Sequence, residues 1–90
     1  MEADDRRLGL QFPCRFPVKV MGEANPSFEP VVAEIVERHA GRIDSDCLAR
    51  RPSRNGRYVS LTFEITASSR EQLDDLYREL SGCSAVSFVL

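Results

Sequence analysis

Tyr58–Ala67, YVSLTFEITA, alternates without a break. Val59, Leu61, Phe63, Ile65 and Ala67 fall on one side; Tyr58, Ser60, Thr62, Glu64 and Thr66 fall on the other. A period of two marks a strand with one buried face. No other run of this kind in the chain is as long, which places it at the centre of a sheet.

Upstream lies Pro52-Ser53-Arg54-Asn55-Gly56-Arg57. Asn-Gly between two strands is a strong hairpin signal, because both residues of the tight turn take positive φ. The hairpin's other arm is Ile43–Arg51, a weaker strand interspersed with Asp44, Asp46, Arg50 and Arg51. Charges of this kind blunt an exposed sheet edge.

Before that arm comes a helix. Phe28, Val31, Val32, Ile35, Val36 and His39 form one stripe at the helical period. Two starts compete. Asn25 as N-cap would put Pro30 inside the helix, where it costs a bond. Ser27 as N-cap puts Pro30 in the first turn, where no bond is lost, and brings Glu29 to the positive end of the dipole. Ser27 is preferred, and Ala40-Gly41 supplies the stop. Arg15–Gly22 is the first strand, with Phe16, Val18 and Val20 inward and Arg15, Lys19 and Met21 outward. Pro17 lacks an N–H, so it belongs where the ladder has no partner for it, near a strand end.

Downstream, Ser68-Ser69-Arg70-Glu71 reads as a capping box, with the glutamate reaching back. Leu73, Leu76, Tyr77 and Leu80 form the stripe of a second helix, which Gly82 ends. Val86, Phe88 and Leu90 give a last alternating strand.

The order is β-α-β-β-α-β, with one apolar stripe per helix and one apolar face per strand. That requires two layers. Right-handed crossovers that skip one position give an α+β, ferredoxin-like sandwich: a four-stranded antiparallel sheet in the order 4-1-3-2, with both helices on one face. The expected core is Phe16, Val18, Val20, Val32, Ile35, Leu61, Phe63, Ile65, Leu73, Leu76, Leu80, Val86 and Phe88. Residues 1–11 are polar and aperiodic and read as a flexible tail; residues 12–90 form the single domain.

Composition narrows the function classes. Of 90 residues, 42% are hydrophobic and 29% charged, and the net charge is −2. These are the proportions of an ordinary soluble domain. The acidic balance disfavours a dedicated nucleic-acid binder. No apolar run is long enough for a membrane span, and the N-terminus lacks the apolar core of a secretory signal. The expected location is the cytoplasm. Cys14, Cys47 and Cys83 have no metal-ligand spacing and read as reduced, half-buried hydrophobes; a redox pair would need two of them close in space.

Nothing in the residues rises to a catalytic, metal or cofactor signature. His39, the only histidine, suits a helix C-terminus, where the dipole favours it, and no Ser or Cys motif stands beside it. Asp74, Asp75 and Glu79 fall on the polar face of the second helix and are expected in solvent. Asp44 and Asp46 have no further ligand set around them. Two surfaces are candidates. Arg50, Arg51, Arg54 and Arg57 cluster at the hairpin, where they either protect the edge or contact an anion or acidic partner. Arg15, Lys19, Met21, Tyr58, Ser60, Thr62, Glu64 and Thr66 line the outward sheet face, which either faces water or meets a partner or second subunit. RNA-recognition domains share this topology but stack bases on central-strand aromatics; here Tyr58 stands alone.

With these elements placed, the chain resembles the YbeD-like family of small bacterial proteins. The likeness runs from Phe12 to Leu90. It rests on Phe12-Pro13, Phe16 with Lys19-Val20-Met21-Gly22, and Arg38-His39-Ala40. It continues through Pro52-Ser53, Gly56, Tyr58, Ser60, Ala67, Gln72, Leu76-Tyr77, Glu79-Leu80 and Val89-Leu90. Met1–Asp5 matches nothing in that pattern. The resemblance implies a ferredoxin-like fold similar to ACT regulatory domains, which bind amino acids. It also implies a regulatory role, sometimes linked by gene neighbourhood to lipoate metabolism, and it transfers no catalytic residue. The expectation is a non-enzymatic regulatory or sensor domain without a cofactor, acting as a homodimer or on a partner enzyme, with a small metabolite as ligand. The alternative is a protein-interaction adaptor that uses the Arg-rich hairpin.

Overall fold

A computed structural model describes residues 11–90. Its elements are β1 (Cys14–Glu23), α1 (Phe28–Ala40), a 3-10 turn (Ser45–Cys47), β2 (Leu48–Pro52), β3 (Tyr58–Ala67), α2 (Arg70–Ser81) and β4 (Phe88–Val89). The sheet order is β2-β3-β1-β4 and every pairing is antiparallel. This is the expected ferredoxin-like sandwich. The expected tail over residues 1–11 lies, but for exposed Gln11, outside the described residues.

The two ten-residue strands pair along their whole length, from Cys14 opposite Ala67 to Glu23 opposite Tyr58. Their inward side chains form the floor of the core: Val18, Val20, Leu61, Phe63, Ile65 and Ala67. Phe28, Val32, Ile35 and Val36 of α1 and Leu73, Leu76 and Leu80 of α2 close it. Gly22 permits one tight contact. A β-carbon there would come within 2.4 Å of the Phe28 ring and 2.5 Å of the Ala85 carbonyl oxygen.

Several expectations need correction. β4 has two residues, and its phase is the reverse of the one expected. Val89 pairs with buried Val20 and packs on the core, whereas Phe88 pairs with outward Met21 and is 52% exposed. Val86 is half-buried because it closes a turn with Cys83, not because it lies in a strand. The strand expected over Ile43–Arg51 begins only at Leu48, after the 3-10 turn. Val31 drops out of the helical stripe and is exposed.

The hairpin turn also differs. Asn55 keeps negative φ, and only Gly56 takes the left-handed conformation, at φ 75°. The Gly56 N–H donates to the Ser53 carbonyl at 2.9 Å, and the Arg57 N–H donates to Asn55 Oδ1 at 3.0 Å. At α2, Ser69 caps the Gln72 N–H at 3.1 Å. The reaching side chain is Gln72, not Glu71: its Oε1 accepts from the Ser68 N–H at 2.6 Å. Pro17 sits inside β1 rather than near its end. The neighbouring Lys19 bonds toward Leu90 on the β4 side, and Pro17 has the same parity. Its missing N–H therefore faces the edge that short β4 leaves uncovered.

Candidate functional site

Among the described residues no element covers the side of the sheet opposite the helices, and strand register decides who meets whom on it. On the central strands Arg15 stands opposite Thr66, Lys19 opposite Thr62, Met21 opposite Ser60, and Glu23 opposite Tyr58. β2 brings Arg51 beside Ser60 and Ala49 beside Thr62. A shallow concavity of about 330 Å³ forms where the hairpin meets this face. Lys19, Met21, Arg51, Ser53, Tyr58 and Ser60 line it. It joins part of each candidate surface.

Its electrostatics are simple. Lys19 and Arg51 supply two cations, and no carboxylate lines the wall. Neither cation has an ion pair among the described residues. Arg15 and Glu64, further down the face, neutralise each other at 3.0 Å. Ser60 is only 8% exposed, and its hydroxyl has no hydrogen-bond partner among the described residues. Leaving a buried hydroxyl unpaired costs about 1–3 kcal/mol. The arrangement can hold an anionic oxygen between two cations and a hydroxyl donor.

The four hairpin arginines take different places. Arg50 and Arg51 are consecutive on β2 and so take opposite faces. Arg50 reaches the helix side and grips Glu29 in a two-pronged pair, at 2.5 Å and 2.8 Å. Those hydrogen bonds hold the Glu29 carboxyl below its ordinary range. Arg57 lies over the Tyr58 ring, 5.7 Å from its centre. Arg54 is exposed on the turn. Only Arg51 enters the concavity.

On the helix side, sequence reasoning missed a second cluster. Glu79 is not left to solvent: it accepts from Arg38 at 2.6 Å and meets His39 Nε2 at 2.7 Å. Gln72 adds a bond from its side-chain amide to the His39 carbonyl at 2.9 Å. These contacts tie the end of α1 to α2. His39 has a carboxylate partner but no serine or cysteine bonded to it among the described residues. The three cysteines are free and half-buried, and Cys47 accepts a 3.6 Å bond from Arg15. An apolar cleft of about 340 Å³ lies beside Phe28, Pro52, Val59 and Leu61, also near the hairpin.

Fold and face together define a small ferredoxin-like domain with one covered and one open sheet face. Comparison with known proteins supplies the family. Residues 8–90 match the family described as "Protein of unknown function (DUF493)". A UPF0250 protein of Hahella chejuensis is 46% identical over 81 residues, covering 90% of this chain and 89% of that one. One of Paraburkholderia phytofirmans is 42% identical over 81 residues, covering 90% and 91%. One of Chromobacterium violaceum is 40% identical over 88 residues, covering 98% and 99%. The chain belongs to this DUF493/UPF0250 family of small bacterial proteins of unknown function, in agreement with the YbeD-like resemblance. The solution structure of protein HP0495 from H. pylori shares the fold, with a TM-score of 0.71 at 17% identity, over 90% of this chain and 85% of that one. Among the described residues, no helix is long and apolar enough to cross a membrane.

Proposed function

We propose that the chain is a non-enzymatic regulatory domain that binds an anionic group, a carboxylate or phosphate, on its open sheet face. One observation carries the reading: Lys19 and Arg51, two cations without ion-pair partners among the described residues, flank the Ser60 hydroxyl, which no described residue bonds, in one concavity. Lys19 and Arg51 are exposed and within reach of an incoming anion, and hydrogen bonds to a charged oxygen are stronger than neutral ones. A small acidic metabolite is the ligand that an ACT-type role calls for; an acidic group on a partner enzyme or second subunit would meet the same cations.

An adaptor built on the hairpin arginines has less support. Arg50 is spent on Glu29, Arg57 rests on Tyr58, and Arg51 belongs to the concavity.

A thermal-shift panel of small carboxylates and phosphates tests the proposal. At least one should raise the melting temperature of the wild type, because a ligand that binds only the folded state stabilises it. The Lys19→Ala/Arg51→Ala double variant should melt like the wild type alone and show no shift. A panel without effect, or shifts that persist in the double variant, would sink the reading.

A further inference from the structure

One line of side chains crosses the open face from edge to edge. Arg51 stands opposite Ser60, Ser60 opposite Met21, and Met21 opposite Phe88. The chemistry changes steadily along it: guanidinium, hydroxyl, thioether, aromatic ring. Neighbouring strands lie about 4.8 Å apart, so three steps span about 14 Å. The concavity takes in only the first three residues; Phe88 lies beyond it. Phe88 is 52% exposed, and Leu90, hydrogen-bonded to Lys19 through the backbone, is 65% exposed. A small ion would leave this apolar end uncovered. Large apolar groups beside a polar pocket suit a longer occupant, and Met21 offers an adaptable contact between the two ends.

We propose that this line binds an acidic linear segment of a partner protein. The segment's carboxylate sits between Lys19 and Arg51 and accepts from the Ser60 hydroxyl, and a bulky apolar side chain lies on Met21 and Phe88. The proposal rests on the anion-binding reading above and names the source of the anion. Charge complementarity carries it: the concavity has two cations and no carboxylate. From Ser60 to midway between Met21 and Phe88 is about 7 Å, and an extended chain rises about 3.3 Å per residue, so the acid and the apolar residue stand about two positions apart, on one side of the segment. Arg51 is suited to hold a carboxylate through two parallel bonds.

Fluorescence anisotropy with short labelled peptides in an Ala/Ser background tests this. One peptide carries Asp and Phe two positions apart, a second replaces the Asp with Asn, and a third replaces the Phe with Ser. The first should bind the wild type at least ~10-fold more tightly than either control, a difference well resolved in Kd. Arg51→Ala and Phe88→Ser should each weaken it by about the same factor while melting like the wild type, since both side chains are exposed. Equal binding of all three peptides, or binding unaffected by either substitution, would overturn the proposal. So would tighter binding of a labelled single-stranded RNA. If no peptide binds while a small carboxylate still shifts the wild type but not Lys19→Ala/Arg51→Ala, the segment is wrong and the anion site stands. If neither acts, both are wrong.

Discussion

The two faces of the sheet differ in their polar groups where the hairpin meets the sheet, although Arg15 and Glu64 pair further along the open face. On the helix side, Glu29 meets Arg50, and Glu79 meets Arg38 and His39; Gln72 bridges the two helices. On the open side, Lys19, Arg51 and the Ser60 hydroxyl sit together without partners among the described residues. The covered face is satisfied and holds the fold. The open face retains unsatisfied capacity, which a ligand can use. The contrast also separates adjacent residues: Arg50 serves the first face and Arg51 the second.

If the contrast is sound, substitutions on the covered face change stability and those on the open face change binding. The largest effect belongs to Phe63, fully buried at the centre of β3. Phe63→Ala should cost about 3–5 kcal/mol in urea unfolding, as the loss of a buried aromatic does. Gly22→Ala comes next. The new methyl would press on the Phe28 ring and the Ala85 carbonyl, for a loss of about 1–3 kcal/mol in the same measurement.

Ser60→Ala sharpens the contrast because its sign is opposite. Removing an unpaired buried hydroxyl should raise stability by about 1 kcal/mol while weakening anion binding. A loss of stability would mean that Ser60 is bonded after all and the open face is not idle.

The smallest effect is on pH dependence. The hydrogen bonds from Arg50 lower the Glu29 carboxyl, so this pair stabilises the fold above the ordinary carboxylate pKa. The contribution is lost as pH falls through the lowered folded value. The stability gap between wild type and Glu29→Gln should therefore be widest near neutrality and should narrow in acid, as followed by thermal melts across pH. The pair is exposed, so the gap is small.

What the sequence disclosed follows the same division. The unbroken alternation of Tyr58–Ala67 made the central strand, its inward set and the ferredoxin-like order legible, because a long strand with one buried face has only one consistent phase. β4 was misread because two residues cannot fix a phase. The spacing of Val86, Phe88 and Leu90 suggested one strand, yet Val86 belongs to a turn and Phe88 follows Met21 outward. The period of two puts the outward residues of β1 and β3 on one side of the sheet, but the meeting of Lys19, Arg51 and Ser60 depends on the registers of β1 and β2 against β3, which no local pattern specifies. The Arg38–Glu79 and His39–Glu79 contacts join residues some forty positions apart and depend on how the helices pack. The role of Gln72 was within reach, since Ser69 is followed three residues later by Gln72, which satisfies the capping-box spacing.

The central claim is that the open face is the binding face. Native mass spectrometry tests it most directly, on wild type and Lys19→Ala/Arg51→Ala purified gently from the same host. The account predicts a reproducible adduct of one mass on the wild type and none on an equally folded double variant. A bare wild-type chain, or the same adduct on both, would contradict it.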